Sequence, residues 1–213
     1  MRRLLPPPVG PSVDSPVDLD EVYAWPERCV RGLMVASVDG RAAVAGSSEP
    51  LSGPADRRVL SVLRGTCDVV LCGASTVRAE GWRPPRPSPQ RRAWRAQRGM
   101  PEVPAYAVVS RSGDLPSGDS EGEVLVLPGG PEGLDDLAAR GLRRVLCEGG
   151  PTLLAGVAAA GRLDELCLTT SPLLTGPGRL GLLEGAPWPA TVPTRLVSLL
   201  EQDGFLFSRW AVG

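Results

Sequence analysis

The chain has 213 residues, 42% hydrophobic and 22% charged, with a formal net charge of -1. That length and composition suit one α/β domain whose core needs no staples, and they exclude wholesale disorder. The near-neutral total argues against an electrostatic grip on nucleic acid. No His, Lys, Ile or Asn occurs, so all 23 basic residues are Arg. These absences remove the Ser-His-Asp triad, His-ligated metals, Schiff-base chemistry and the P-loop lysine, and no metal site is expected. Arg in place of Lys reads as the codon bias of a GC-rich genome. The five cysteines, Cys29, Cys67, Cys72, Cys147 and Cys167, form no C-x-x-C and read as reduced core thiols of a cytoplasmic protein. Cys67 and Cys72 flank an apolar run and are expected to point to opposite faces of a strand. The apolar stretch at Met1–Leu5 is too short for a signal peptide, and no segment is expected to span a bilayer.

In chain order, residues 1–26 are Pro-rich, acidic and aperiodic and read as an N-terminal arm, laid over the domain or a loose tail; residues 27–213 read as the domain. Val30 to Ser37 is predicted as a central strand. Pro54 to Arg64 is predicted as a helix with Ala55, Val59, Val62 and Leu63 as its core stripe and Gly65 as its stop. Asp68 to Cys72 is a continuous apolar run, as in buried parallel strands. Residues 83–101 carry prolines and Arg83, Arg86, Arg91, Arg92, Arg95 and Arg98 with no acid. They read as a solvated loop, with a lid over an anionic substrate as the alternative. Ala105 to Val109 and Glu123 to Leu127 are strands, and Pro131 to Arg140 a short helix. The strand Arg143 to Cys147 leads into Glu148-Gly149-Gly150. Pro151 to Ala160 is a buried helix closed by Gly161. Asp164 to Thr170 and Leu196 to Val212 alternate as strands, with Asp203-Gly204 as a hairpin turn. The expected fold is a mixed α/β sheet with a parallel core and a C-terminal antiparallel hairpin, helices on both faces.

Ligands of open α/β sheets bind beyond the carboxyl ends of the strands. Four predicted strands end in Ser37-Val38-Asp39-Gly40, Gly73-Ala74-Ser75-Thr76, Ser110-Arg111-Ser112-Gly113 and Glu148-Gly149-Gly150-Pro151-Thr152. Each delivers small, hydroxylic or glycine residues to one rim, which favours a nucleotide site. Gly149-Gly150 before the Pro151 helix is the best candidate for a pyrophosphate cradle. The pattern is not G-x-G-x-x-G, so a Rossmann fold is not expected. Ser110-Arg111 either meets a ribose 2′-phosphate or is a polar turn. Glu148 is either a carboxylate on substrate or an acceptor for loop amides. Arg64 either binds a phosphate or pairs on the surface, and Asp39 is either functional or a turn acid.

Together these segments resemble the pyrimidine reductase family, the reductase domain of bacterial riboflavin biosynthesis, with a dihydrofolate-reductase-like fold. The resemblance rests on Met34 to Ala43, on Leu63-Arg64 with Asp68 to Glu80, on Glu148 to Leu154 running into Gly161 to Leu166, and on Ser171 to Gly176. It covers about residues 28–210 and is similar to the stand-alone actinobacterial type. It implies hydride transfer from NADPH to an aminopyrimidine phosphoribosyl substrate, with its opened ribose reduced to a ribityl chain. On matching positions it implies a cofactor site at Gly73, Thr76, Glu80, Ser110, Arg111, Gly149, Gly150, Pro151, Thr152, Leu153 and Leu154. It implies a substrate site at Ser48, Arg64, Arg86 and Glu148, and catalytic roles for Asp39 and Glu148. It also implies a homodimer. The chain departs from relatives at Pro50, where many carry Trp, at Glu80, where Asp is usual, and at Leu33, where riboflavin-pathway members often have Lys. The stretch from Leu115 to Glu123 looks shorter than in relatives. Alternative readings are a reductase of a pterin-like or secondary-metabolite substrate, and a non-catalytic NADP-binding protein.

Overall fold

The structure, a computed structural model, describes the whole chain except residues 7–15, 114–117, 130–132, 178–179, 186–187 and 189. Pro131, Leu115 and the middle of the expected arm thus lie outside the described residues. The elements are β1 (Arg2–Leu5), α1 (Leu19–Val22), β2 (Cys29–Ser37), α2 (Pro54–Thr66), β3 (Val69–Gly73), α3 (Ala74–Glu80) and α4 (Pro89–Ala96). After them come β4 (Ala105–Val109), β5 (Val124–Leu127), α5 (Gly133–Ala139), β6 (Arg144–Gly149), α6 (Pro151–Ala159), β7 (Glu165–Ser171), β8 (Thr194–Gln202) and β9 (Phe205–Val212).

Among the described residues the strands form one nine-stranded sheet in the order β1-β8-β9-β7-β2-β6-β3-β4-β5. From β7 to β5 every pairing is parallel. From β7 outward through β9 and β8 to β1 every pairing is antiparallel. The strand alternation sorts side chains into two cores. Val70, Cys72, Tyr106, Val108 and Leu146 face the helices α1, α2 and α3. Val69, Leu71, Ala105, Ala107, Val145 and Cys147 face α5 and α6. This is the period-two geometry of a strand buried on both sides, and it explains why these strands read as unbroken apolar runs.

Residues 2–5 are laid on the domain, adding an edge strand to β8. Leu19, Val22 and Tyr23 sit in the first core. Arg31, fully buried, ties this segment down: it donates to Glu165 at 2.7 Å, to the Tyr23 carbonyl at 2.9 Å and to the Ala24 carbonyl at 3.1 Å, and lies over Trp25. Cys67 and Cys72 share one core, because Cys67 caps α2 before the strand begins. Gly65 does not stop α2, which runs on to Thr66. It is small because the Arg91 side chain crosses there: a Cβ at Gly65 would lie 2.7 Å from Arg91 Cγ.

The arginine-rich stretch is not a plain solvated loop. Ser88 caps α4 by accepting from the Arg91 amide at 3.2 Å, and Pro89 occupies its first turn. Arg95 is fully buried and donates to the carbonyls of Pro101 at 2.6 Å, Cys67 at 2.6 Å and Gly65 at 3.1 Å. One guanidinium thereby joins α4, the end of α2 and the entry to β4. Arg95→Met keeps the bulk and leaves those carbonyls without their donor. At roughly 1–3 kcal/mol for each unmet buried group, the expected loss is about 3 kcal/mol or more. A melting experiment should then show Tm lower by roughly 6–12 °C.

Candidate functional site

Because β2, β3, β4 and β6 are parallel, their carboxyl ends meet on one edge of the sheet. Gly73 caps α3 and Gly150 caps α6, so two helix N-termini open side by side. They are joined: the Gly150 amide donates to Thr76 Oγ1 at 2.7 Å. The glycines are needed here. Gly149 has φ 75°, and a Cβ on Gly150 would stand 2.8 Å from Thr76 Oγ1. The first-turn amides of α6 have no partner within the helix and face outward with its positive dipole end.

Beside this rim lies a cleft of about 840 Å3 lined by β2, α2, α3 and the loop after β2. Arg64 on α2 and Glu148 on β6 make a bidentate pair across it, at 2.6 and 2.5 Å. Burial acts to lower the Arg64 pKa, but the Glu148 carboxylate raises it above its usual value. Leu33, Met34, Cys72 and Tyr106 supply an apolar lining. Burial pushes the Tyr106 hydroxyl and the Cys72 thiol well above their usual values. Trp82 packs edge-on to Tyr106 at 5.2 Å between ring centres. The result is a largely apolar trough with one fixed ion pair, suited to holding a flat ring with water excluded.

Ser48, Arg64, Thr76, Glu80, Glu148, Gly150, Pro151 and Thr152 all line this cleft. Arg64 is not a surface pair, and Glu148 holds a guanidinium rather than loop amides. Glu80 works through the loop after β2, accepting from the Ser48 amide at 2.8 Å and from Ser47 Oγ at 3.3 Å. Gly73 lies behind the rim, where a Cβ would approach the Gly149 carbonyl at 3.6 Å and Leu153 Cβ at 3.8 Å. Leu154 is fully buried in the second core, and its side chain is not among the cleft lining. Ser110 is buried and Arg111 exposed at the end of β4; neither is among the cleft residues. Arg86 lines a neighbouring bay instead of the cleft. Pro50 is exposed in the turn Glu49–Leu51, and Leu33 lines the cleft. Among the described residues no cluster of three His, Cys, Asp or Glu side chains could hold a metal ion, and no helix is long and apolar enough to cross a membrane.

Sequence reasoning missed Arg57, Leu60, Cys72 and Tyr106 as cleft residues. Arg57, Leu60 and Arg64 lie on one face of α2, a spacing that could have been seen. Cys72 and Tyr106 read as core alternation, and only the pairing of β3 with β4 brings them to the cleft.

Asp39, expected to be catalytic, lies outside the cleft lining and is exposed. It accepts from the amides of Thr175 at 3.1 Å and Gly176 at 2.9 Å, pinning the loop after β2 to the chain after β7.

Comparison with known proteins fits this geometry. The family model of the RibD C-terminal domain matches residues 28–202. A pyrimidine reductase-like protein from Corynebacterium diphtheriae superposes with a TM-score of 0.80 at 25% identity, covering 92% of this chain and 98% of that one. The riboflavin biosynthesis reductase Rib7 of Saccharomyces cerevisiae gives a TM-score of 0.57 at 18% identity, covering 87% of this chain and 90% of that one. A dihydrofolate reductase from Enterococcus faecalis complexed with NADP(H) gives 0.53 at 15% identity, covering 87% and 96%. At those lower identities the likeness speaks for a dihydrofolate-reductase-like fold. A sequence comparison with curated proteins finds no match.

The Asp39 clamp carries a pH signature. A hydrogen bond from Ser37 and the amides of Thr175 and Gly176 lower its pKa from 3.8 to about 2. A lowered carboxyl pKa contributes stability above the unfolded value and loses it as pH falls through the folded one. Amide-exchange protection at Thr175 and Gly176 should therefore hold at pH 5 and fade between about pH 4 and 2. Asp39→Asn should remove that pH dependence; unchanged protection in the variant would contradict the clamp.

Proposed function

The chain belongs to the RibD C-terminal domain family, and on that premise we propose that it is an NADPH-dependent reductase of a phosphorylated aminopyrimidine, with 5-amino-6-(5-phosphoribosylamino)uracil as its acceptor. The observation that carries this reading is the juxtaposition of the Gly149-Gly150 rim with a cleft whose far wall holds the Arg64–Glu148 pair. The rim fits a dinucleotide diphosphate. It has no Cβ at the two closest positions, it has unpaired first-turn amides, and a helix dipole points its positive end outward. Gly73, Thr76, Gly150, Pro151, Thr152 and Leu153 would hold the cofactor, with Ser110 and Arg111 taking its 2′-phosphate.

Bound NADPH would supply the hydride that converts the ribosyl group to a ribityl chain. The protein's part is position and exclusion of water. Arg64 fixes the Glu148 carboxylate in one plane. Two of its roughly four lone-pair directions stay open toward the cleft for substrate hydroxyl or amino groups. Ser48 is oriented on the opposite lip by Glu80. Leu33, Met34 and Tyr106 keep the reacting centre dry. Asp39 acts as a positioning residue through the loop it clamps. We further assign a cytoplasmic homodimer joined through a face of the C-terminal hairpin, since β1 covers its outer edge. One feature favours a pterin-like acceptor instead: apolar Leu33 lines the cleft.

The test is NADPH consumption against the uracil substrate and against dihydrofolate. Turnover with the uracil is expected; turnover with dihydrofolate alone would move the assignment to the pterin-like reading. Binding without any turnover would leave an NADP-binding protein. Gly150→Val, which drives a side chain into Thr76, should weaken NADPH binding by about ten-fold or more. Arg64→Ala should raise KM for the substrate by about ten-fold or more and change NADPH affinity little.

A further inference from the structure

Four carboxylates line the reduction cleft, Glu49, Asp56, Glu80 and Glu148. Glu148 holds Arg64, Glu80 holds the loop at Ser47 and Ser48, and Glu49 is exposed and stands 3.9 Å from Arg83. Asp56 has no such employment. It is only 8% exposed. Among the described residues it makes no ion pair, and its carboxylate has one hydrogen-bond partner, Ser52 Oγ, which donates to Oδ2 at 2.6 Å. An ionised carboxylate offers about four acceptor directions, and burying one is costly unless they are met. Asp56 lies in the first turn of α2, whose dipole eases that cost. An acid at this place commonly reaches back to the amide of the cap residue. Here the cap is Gly53, and the carboxylate turns to the cleft instead.

Asp56, Leu60 and Arg64 follow one another at four-residue steps along α2, and all three line the cleft. The wall they make is about 12 Å long. It has a carboxylate at one end and an apolar middle. At its other end stands a guanidinium already neutralised by Glu148. Leu33 and Val35 of β2 add further apolar lining. A flat ring can lie along such a wall with one N–H edge on Asp56. Two parallel N–H groups on neighbouring atoms match the two oxygens of a carboxylate. A 2-amino-4-oxopyrimidine carries that pair, its ring N–H and its 2-amino group. A uracil presents the same ring N–H between two carbonyl oxygens, so one oxygen would stand against the carboxylate.

We infer that Asp56 is a specificity-determining residue that reads the edge of the acceptor ring, and that the cleft takes a 2-amino-4-oxopyrimidine in addition to the uracil of the proposed reaction, and more tightly. This assignment rests on the reductase reading for its chemistry and adds a ring to it. Ser52 is the positioning partner: by holding Oδ2 it sets the plane of the carboxylate and leaves the remaining acceptor directions to the ring. Neither residue moves the hydride or a proton.

The experiment is titration calorimetry of two probes into the full chain, with and without saturating NADP+, alongside NADPH oxidation with each. The probes are 5-amino-6-(5-phosphoribosylamino)uracil and the otherwise identical compound with a 2-amino group in place of its 2-oxo oxygen. The unaltered chain should bind the 2-amino ring about ten-fold or more tightly than the uracil. Asp56→Asn, equal in size, exchanges an acceptor for a donor. It should weaken the 2-amino ring by about ten-fold or more and tighten the uracil by about three-fold, inverting the order. Ser52→Ala should shrink the original preference by about three-fold, and it decides the matter if Asp56→Asn does not fold. An unaltered chain that prefers the uracil, or an Asp56→Asn variant that loses both rings equally, would overturn the inference and leave the reductase reading in place. If neither ring is reduced while the 2-amino ring still binds through Asp56, the reductase reading fails and the assignment of Asp56 stands.

Discussion

Parallel strands all end on the same edge of a sheet, and the site depends on that constraint. Six neighbouring strands, β7-β2-β6-β3-β4-β5, run in one direction. The turns after β2, β3, β4 and β6 come from sequence positions more than a hundred residues apart, yet they have one place to go. Helices on both faces bury the strands and make the register unforgiving, since a one-residue slip would exchange the two cores. The antiparallel strands β9, β8 and β1 then extend the sheet, and the turn between β8 and β9 falls on this edge beside the end of β7.

On that frame a few polar contacts set the distances within the site. Arg64 and Glu148, 84 residues apart, fix α2 against the end of β6. The Thr76–Gly150 hydrogen bond fixes α3 against α6. Glu80 and Asp39 hold the two ends of the loop after β2. None of these contacts requires a group to give up or take on a proton. The chemistry proposed for the site asks for a dry, well-placed encounter and not for a side-chain nucleophile, which is consistent with a sequence that has no His or Lys.

Much of the frame was legible in the residues. The apolar runs at Val69–Cys72 and Val145–Cys147, the Pro-initiated helices α2 and α6, and the Asp203-Gly204 turn all carry local signals that tertiary packing does not contradict. What stayed hidden was decided by distant partners. Arg95 looked like one more surface arginine until three carbonyls closed around it. Gly65 looked like a helix stop, but its smallness answers to Arg91. The strand at Arg2–Leu5 has no pattern of its own and exists because β8 offers an edge. In the site, resemblance placed Arg64, Glu148, Thr76 and Gly150 in the cleft. Of the other positions it implied, Leu154 has its side chain in the second core and Arg86 lines the bay that adjoins the cleft. A helix that starts at Pro151 turns successive side chains through about 100°, so a contiguous motif cannot face one ligand throughout.

The claim on which the functional account turns is that the Gly149-Gly150 rim and the start of α3 together receive the dinucleotide. Hydrogen–deuterium exchange of the chain with and without saturating NADPH tests it most directly. Protection should rise at residues 150–154 and 74–80, with smaller changes at 110–112. Saturation that protects other edges of the sheet and leaves 150–154 exchanging as before would contradict it.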